Sequence, residues 1–414
     1  MELSEHLFRH EAGRMVATLT RIFGVHNLAL AEDVVQEAFC RALETWKFRG
    51  VPENPSAWLM ATAKNRALDV LRRERTAKTF APELARQLES EWTLAPTVEE
   101  EFGPASIKDD QLRMMFSCCS PRLSEEAQVA LILHILCGFS VAEIASAFVS
   151  SHPAIEKRIT RSKRVLAGSR KLFDISGSED FARRLPTVQR ALYLLFNEGY
   201  HGASPEAAVR SDLCHESIRL TSMLLKNPLG ATPSTYALAA LMFLNAARLP
   251  ARIVSGNLTV LADQDRSLFD QGLAEEGLRL LERSASGSEL TDYHVEAAIA
   301  WVHISAQRSE DTDWAAIISL YDKLMAIRPS PVVALNRAIA TAQREGPQRG
   351  LAEVRAIKDL ERLDKYPFYH AALGEFEIRS GHLDEARGHF ATALSLARNP
   401  MERRFFEQRI DACK

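Results

Sequence analysis

The 414-residue chain lacks an excess of either charge, a long apolar run, paired cysteine spacings and a phosphate-binding glycine loop. Lys and Arg number 51 against 54 Asp and Glu, for a formal net charge of -3. Any surface for nucleic acid must therefore come from local clusters of positive charge. No stretch has the length needed to span a bilayer, and Met1-Glu2-Leu3-Ser4-Glu5-His6 carries no basic segment ahead of an apolar run. A cytoplasmic protein with no membrane contact is expected. The six cysteines, Cys40, Cys118, Cys119, Cys137, Cys214 and Cys413, include no C-x-x-C pair, so buried free thiols are expected rather than zinc or redox chemistry. The absence of G-x-x-x-x-G-K-[ST] argues against nucleotide hydrolysis. His134 falls in an apolar helix, and His294 and His303 are not spaced as ligands on adjacent helical turns, so all three read as structural histidines. The expectation is a non-enzyme with no catalytic residue, no metal site and no cofactor.

Hydrophobic residues at 46% and charged residues at 25% are the proportions of a soluble globular protein, and the length implies two to four domains. Apolar residues recur with the helical period nearly everywhere, which predicts an all-α protein. One exception is Arg252 to Leu261, where Ile253-Val254 and Thr259-Val260-Leu261 flank Ser255-Gly256-Asn257 as in a small hairpin. Between Thr79 and Lys108 the periodicity fades, Pro82, Pro96 and Pro104 appear, and Glu89, Glu91 and Glu99 to Glu101 gather, as in an acidic linker.

On either side of that linker lie two basic segments. In the first, Val35, Phe39, Ala42 and Trp46 share one side of a helix, while Asp33, Glu37, Arg41 and Glu44 share the other. Such a charged stripe also describes an ordinary solvated face. Pro55 and Ser56 then open a helix with a core stripe of Leu59, Ala63, Ala67 and Val70. Its other face carries Trp58, Thr62, Asn65, Asp69 and Arg72 and runs out through Arg72-Arg73-Glu74-Arg75. An aromatic among amide and guanidinium groups suits single-stranded DNA, as bases stack on rings and cations neutralise phosphate; surface charge around a packed tryptophan is the alternative.

In the second segment, Ser124 precedes a helix whose apolar body stops at Gly138, and Ser140-Val141-Ala142-Glu143 fits a capping box. The chain turns at Val149-Ser150-Ser151 into a third helix with Pro153 in its first turn. This is a helix-turn-helix pattern, although a purely structural helical hairpin shares it. Ile155, Ile159, Ser162 and Leu166 can face inward, which leaves Lys157, Arg158, Arg161, Lys163 and Arg164 for the outside with only Glu156 nearby to offset them. Cations of this kind hold a recognition helix on phosphates, and Arg can bond guanine edges.

Taken together, Leu30-Ala31-Glu32-Asp33-Val34-Val35-Gln36-Glu37-Ala38-Phe39, Trp58-Leu59, Lys64 to Arg73, Glu143-Ile144-Ala145 and Ile155 to Arg161 resemble the two conserved regions of extracytoplasmic-function sigma factors. The resemblance implies sigma region 2 at 1–78, an acidic linker at 79–107 and sigma region 4 at 108–172. It also implies that Asp33, Gln36 and Glu37 dock on the beta prime clamp helices of core RNA polymerase, with the beta flap as a second contact. Asn54, Trp58, Lys64, Asn65, Arg72 and Arg73 would meet the minus-ten strand of promoter DNA. Ser151, Ala154, Lys157, Arg158, Arg161 and Arg164 would meet the minus-thirty-five duplex. The family's common Thr is Ala154 here, its usual Ser is Lys157, and its glycine-containing turn is absent, so base preference does not transfer.

From Phe181 onward the chain resembles the extension of one subgroup of these factors, through Leu194 to Tyr200 and Asp263-Gln264-Asp265-Arg266-Ser267. Asn197, Glu198 and His201 suggest either a polar site or a helix ending at Gly199 with local side-chain bonding. Leu373-Gly374, Gly381, Ala386, Phe390 and Ala393, with Tyr321, Leu324 and Pro329, fit a tetratricopeptide-like pattern. The expected layout is a helical extension at 173–294 and repeats at 295–414, which either take a protein or peptide partner or cap the front half. Two other readings compete with the sigma reading. One is a helix-turn-helix regulator with a sensing repeat domain; the other is a scaffold without a DNA role. The Asp33 helix, the Trp58 helix and the linker are surplus to the regulator, and the scaffold predicts that neutralising Arg158 and Arg161 changes little.

Overall fold

The structure, a computed structural model, describes residues 3–77, 110–148, 150–167, 178–202, 208–254 and 256–414. The linker expectation, Val149 of the turn and Ser255 of the hairpin lie outside them. Among the described residues the protein is all-α except for one two-stranded ribbon. It divides into two compact units: residues 1–195 with 223–231, and residues 196–222 with 232–414.

The first unit begins with α1 (Leu3–Phe23), α2 (Leu28–Arg49) and α3 (Pro55–Ala77). Their shared core holds Met15 and Leu19, then Val35, Phe39 and Ala42, then Leu59, Ala63 and Ala67, as the helical period predicts. Val70 is only half-buried. Helix α2 stops at Gly50, whose φ of 77° suits glycine and whose N–H reaches the Trp46 carbonyl at 3.0 Å. Helix α3 starts where Asn54 Oδ1 accepts the Ala57 N–H at 3.0 Å and Pro55 takes the first helical position.

Next come α4 (Asp110–Cys118), α5 (Glu125–Leu136), α6 (Val141–Ala147) and α7 (His152–Ala167). The capping box forms: the Ser140 N–H donates to Glu143 Oε2 at 2.7 Å, and the Glu143 N–H donates to Ser140 Oγ at 3.2 Å. Ser124 occupies the cap position of α5, but its side chain makes no capping bond. The turn before α5 is tied instead by Gln128 Nε2, which donates to the Ser120 and Leu123 carbonyls at 2.8 and 2.9 Å. Ile155, Ile159, Ser162 and Leu166 of α7 are buried as expected.

Helix α1 also packs on α4 and α5. A Cβ at Gly13 would lie 2.1 Å from the Leu136 carbonyl oxygen, so only glycine permits this approach. Arg21 pairs with Asp110 at 2.9 Å, Thr18 Oγ1 donates to Asp110 Oδ2 at 3.1 Å, and Gln111 Nε2 donates to the Leu136 carbonyl at 2.8 Å. Five cysteines are buried as expected, but Cys40 is exposed, because it lies on the outer face of α2.

Helix α8 (Ser178–Tyr200) ends one residue beyond Gly199, which is not in the left-handed conformation of a terminating glycine. The physical reason for that glycine is proximity. A Cβ would come within 2.8 Å of the Arg210 carbonyl oxygen and of the Cys214 backbone nitrogen and Sγ, at the start of α9 (Ser211–Leu225).

In the second unit α10 (Pro233–Ala247) and α11 (Leu249–Arg252) lead into β1 (Ile253–Val254), which pairs antiparallel with β2 (Asn257–Leu258). The hairpin closes earlier than expected, on Asn257-Leu258 rather than Thr259–Leu261. Gly256, just before β2, has a φ of 76°, which suits glycine. Eight helices follow: α12 (Gln271–Ser284), α13 (Asp292–Ser305), α14 (Trp314–Ile327), α15 (Pro331–Glu345), α16 (Pro347–Arg355), α17 (Pro367–Ser380), α18 (Leu383–Ser395) and α19 (Pro400–Asp411). Proline opens four of these, where its missing N–H costs nothing. Asp270, Asp313 and Asn399 cap helix starts with side-chain oxygens. Consecutive helices pack against one another; Gly374 of α17 admits the Phe390 ring of α18, to which a Cβ would come within 2.7 Å. Ala386, Phe390 and Ala393 are fully buried there.

Candidate nucleic-acid interface

The outer face of α2 presents Asp33 and Gln36 to solvent. Glu37 is half-buried and already paired, with Arg66 of α3 at 2.7 Å and Arg41 at 3.4 Å. Leu43, Phe48 and Val51 are exposed beyond it, Phe48 by 83%. The carboxy-terminal part of α2 and the connection to α3 thus offer an aromatic ring and two aliphatic side chains to solvent near Lys47 and Arg49.

On α3, Asn65, Arg72 and Arg73 are exposed. Partial desolvation lowers the Lys64 amine from its ordinary range. Trp58 is half-buried and meets the Trp46 ring edge-on at 5.5 Å, so one of its edges is taken up by packing against α2. The Asn54 side-chain oxygen is engaged by the helix cap, and the Thr62 hydroxyl donates back to the Trp58 carbonyl at 2.8 Å. Of the minus-ten set, α3 therefore brings Trp58, Lys64, Asn65, Arg72 and Arg73 onto one helix, with Asn54 at its start.

Helix α7 carries Lys157, Arg161 and Arg164 exposed, with Ser151 and Ala154 exposed at its amino end. Two of the five cations expected to face outward are instead engaged by other helices. Arg158 pairs with Glu126 of α5 at 3.1 Å, and Lys163 pairs with Glu32 of α2 at 2.7 Å. These carboxylates are 32 and 131 positions away in sequence, and proximity along the chain gave no sign of them. The Ser162 hydroxyl donates to the Arg158 carbonyl at 2.8 Å and sits on the buried face.

The histidines divide. His134 Nδ1 lies 3.0 Å from the Phe139 carbonyl, and burial lowers its pKa. His294 Nδ1 accepts the Thr291 N–H at 3.1 Å, which leaves Nε2 to donate to the Ser284 carbonyl at 3.2 Å. Both are structural. The buried His303 has no partner at Nδ1. Among the described residues no three His, Cys, Asp or Glu side chains are grouped to hold a metal, and no helix is long and apolar enough to cross a membrane.

The model of sigma-70 region 2 matches residues 7–77, which are α1 to α3. A family of unknown function, DUF6596, matches residues 184–285, from within α8 to the end of α12. An uncharacterized protein of Rhizobium meliloti (strain 1021) is 38% identical over 399 residues, covering 96% of this chain and 92% of that protein. A similarity of that extent makes the two members of one family, and because α1 to α3 constitute region 2, the chain belongs to the sigma-70 family of sigma factors.

Proposed function

We propose that this protein is an RNA polymerase sigma factor of the extracytoplasmic-function type, which directs core polymerase to specific promoters and whose carboxy-terminal extension modulates that activity. One observation carries the reading: the region 2 match lies in the same unit as the capped α6 and the following α7, on which Lys157, Arg161 and Arg164 are exposed. In this account Asp33, Gln36 and Glu37 meet the beta prime clamp helices, and the α4–α7 module meets the beta flap. The face of α3 from Asn54 to Arg73 holds the melted minus-ten strand, and Trp58 supplies a ring for stacking. Ser151, Ala154, Lys157, Arg158, Arg161 and Arg164 lie along the duplex minus-thirty-five element, where phosphate contacts set the register and arginines read base edges. The stacked helix pairs from α13 onward act as tetratricopeptide-like repeats whose surface takes a protein or peptide partner.

Asp33→Arg tests the polymerase contact. The full-length variant is expected to lose co-elution with core polymerase while retaining duplex binding within about twofold, since surface charge changes of this kind alter stability little. Equal loss of both activities would contradict separate polymerase and DNA surfaces. Retained duplex binding with no polymerase binding by the unaltered protein would favour a helix-turn-helix regulator.

A further inference from the structure

Two motifs that the proposed function leaves unused, Phe196 to Tyr200 and Asp263 to Ser267, converge in the second unit on a group of arginines. Arg248, at the end of α10, is 7% exposed. Its bonds go to neutral oxygens, from Nε to Gln264 Oε1 at 3.3 Å and from Nη1 to Asn245 Oδ1 at 3.5 Å. Arg252, one turn further on, covers the Tyr200 ring at 4.3 Å and reaches His201 Nδ1 through Nη2 at 2.8 Å. Arg266 donates to the His303 carbonyl, to the Ala306 carbonyl at 2.8 Å and to Thr312 Oγ1 at 3.4 Å. Among the described residues, the hydrogen bonds of all three guanidiniums thus go to neutral partners.

The surrounding carboxylates are engaged by other arginines. Glu198 pairs with Arg210 at 2.7 Å, Glu402 with Arg398 at 2.5 Å, Glu296 with Arg328 at 2.6 Å and Asp311 with Arg308 at 3.5 Å. The positive charges consequently oppose one another. Burial and then the charge of Arg252 lower Arg248, with Tyr200 acting in the opposite direction, and burial followed by the charge of Arg248 lowers Arg266. Burial, then Arg248 and Arg266, push the His303 imidazole down to about 3. Buried cations without an opposite charge are costly to a fold.

Among the described residues, three buried polar atoms of this group have no hydrogen-bond partner: Arg252 Nε, Tyr200 Oη and His303 Nδ1. Tyr200 is 3% exposed and His303 is 8% exposed. The first two are donors, and the third donates in the tautomer protonated there. A group of cations and unpaired donors, with these four carboxylates already paired elsewhere, is complementary to an acceptor-only ion. The depth of Arg248 and Tyr200 restricts the occupant to a small headgroup, and the exposed His201 lies at the rim.

We propose that the second unit binds a small molecule through an oxyanion, carboxylate or phosphate, held by Arg248, Arg252 and the Tyr200 hydroxyl, with Arg266 supplying positive charge behind it and the neutral His303 a further donor in its Nδ1-protonated tautomer. This site goes beyond the transcription reading and does not rest on it, because it concerns the second unit alone. It assigns a role to residues of the Asp263–Ser267 motif: Gln264 orients Arg248, and Arg266 ties the loop to the end of α13.

The test uses the full chain in chloride buffer at fixed ionic strength, titrated separately with inorganic phosphate and with succinate while thermal unfolding is followed by circular dichroism. A saturable rise in Tm is expected with at least one probe, and the stronger probe identifies the headgroup. Arg252→Met should weaken half-saturation by about 10- to 150-fold, the range for a hydrogen bond to a charged group. Tyr200→Phe removes a hydroxyl that has no protein partner, so the variant should fold normally, keep its chloride-buffer Tm and weaken half-saturation by about 2- to 10-fold. Exposed Arg403→Ala should respond as the unaltered protein does. The proposal is overturned if neither probe raises Tm, or if Tyr200→Phe retains the unaltered half-saturation concentration.

Discussion

Removing single cations from α7 should change the salt dependence of duplex binding unequally, because the structure places them differently. Arg161 is exposed and pairs with no carboxylate among the described residues, whereas Arg158 is half-buried against Glu126 at 3.1 Å. Each phosphate contact contributes about 0.9 to the slope of log K against log salt. Arg161→Ala should therefore reduce the slope by about 0.9, which means the full-length variant's deficit shrinks by about 3.5-fold between 50 and 200 mM salt. Arg158→Ala should reduce it by less, since the side chain must leave Glu126 before it reaches DNA. Glu126→Gln should do the converse. An exposed ion pair is worth about 0.2–1 kcal/mol, so releasing Arg158 should tighten duplex binding by about 1.4- to 5-fold. Fluorescence anisotropy on a labelled duplex, with salt titrated for each variant, reads both quantities. An unchanged slope in Arg161→Ala would refute the assignment of α7 to DNA, and equal losses for Arg158 and Arg161 would refute the role given to Glu126.

Three further predictions concern the fold. Gly13→Ala should destabilise the first unit by about 1–3 kcal/mol, since its Cβ would force α1 away from the Leu136 carbonyl; a lowered denaturation midpoint with an unchanged m-value checks this. The unfolded His303 imidazole takes up its proton near 6.5 and the folded one only near 3, so between those values the unfolded state binds more protons and stability falls as pH falls. The slope should approach ~1.4 kcal/mol per pH unit and flatten in His303→Gln, as seen in denaturation midpoints from pH 7 to 4. Iodoacetamide at pH 8 should label Cys40 first, because Cys119 and Cys214 are buried and their thiols are pushed up to about 12; peptide mass spectrometry on the native protein would reveal an inverted order.

What was legible in the sequence was local. The apolar stripes of α2, α3 and α7, the Ser140–Glu143 capping box and the turn into α7 all arise from residues within a few positions of one another, and the helical period exposes them. Pairings across the chain have no such signature. Lys163 meets Glu32 from 131 positions away, and Trp58 meets Trp46 across a loop, so cations and rings assigned to an outer surface turned out to be engaged by neighbouring helices. Gly199 shows the same limit. A glycine near a helix end reads as a stop, but here it allows α9 to approach, which only the packed structure shows. The arginine group of the second unit is assembled from α10, α11 and the Asp263–Ser267 loop around Tyr200 of α8. Its motifs were visible in sequence, but their common destination was not.

The most direct test of the central claim is initiation by sigma-free bacterial core RNA polymerase on genomic DNA of the protein's own organism, with transcript 5′ ends mapped in the presence and absence of the purified full chain. The account predicts discrete start sites that depend on the protein and share upstream sequence elements, with those sites lost in Asp33→Arg. Failure of the chain both to bind a demonstrably active core and to yield any protein-dependent start site would contradict it.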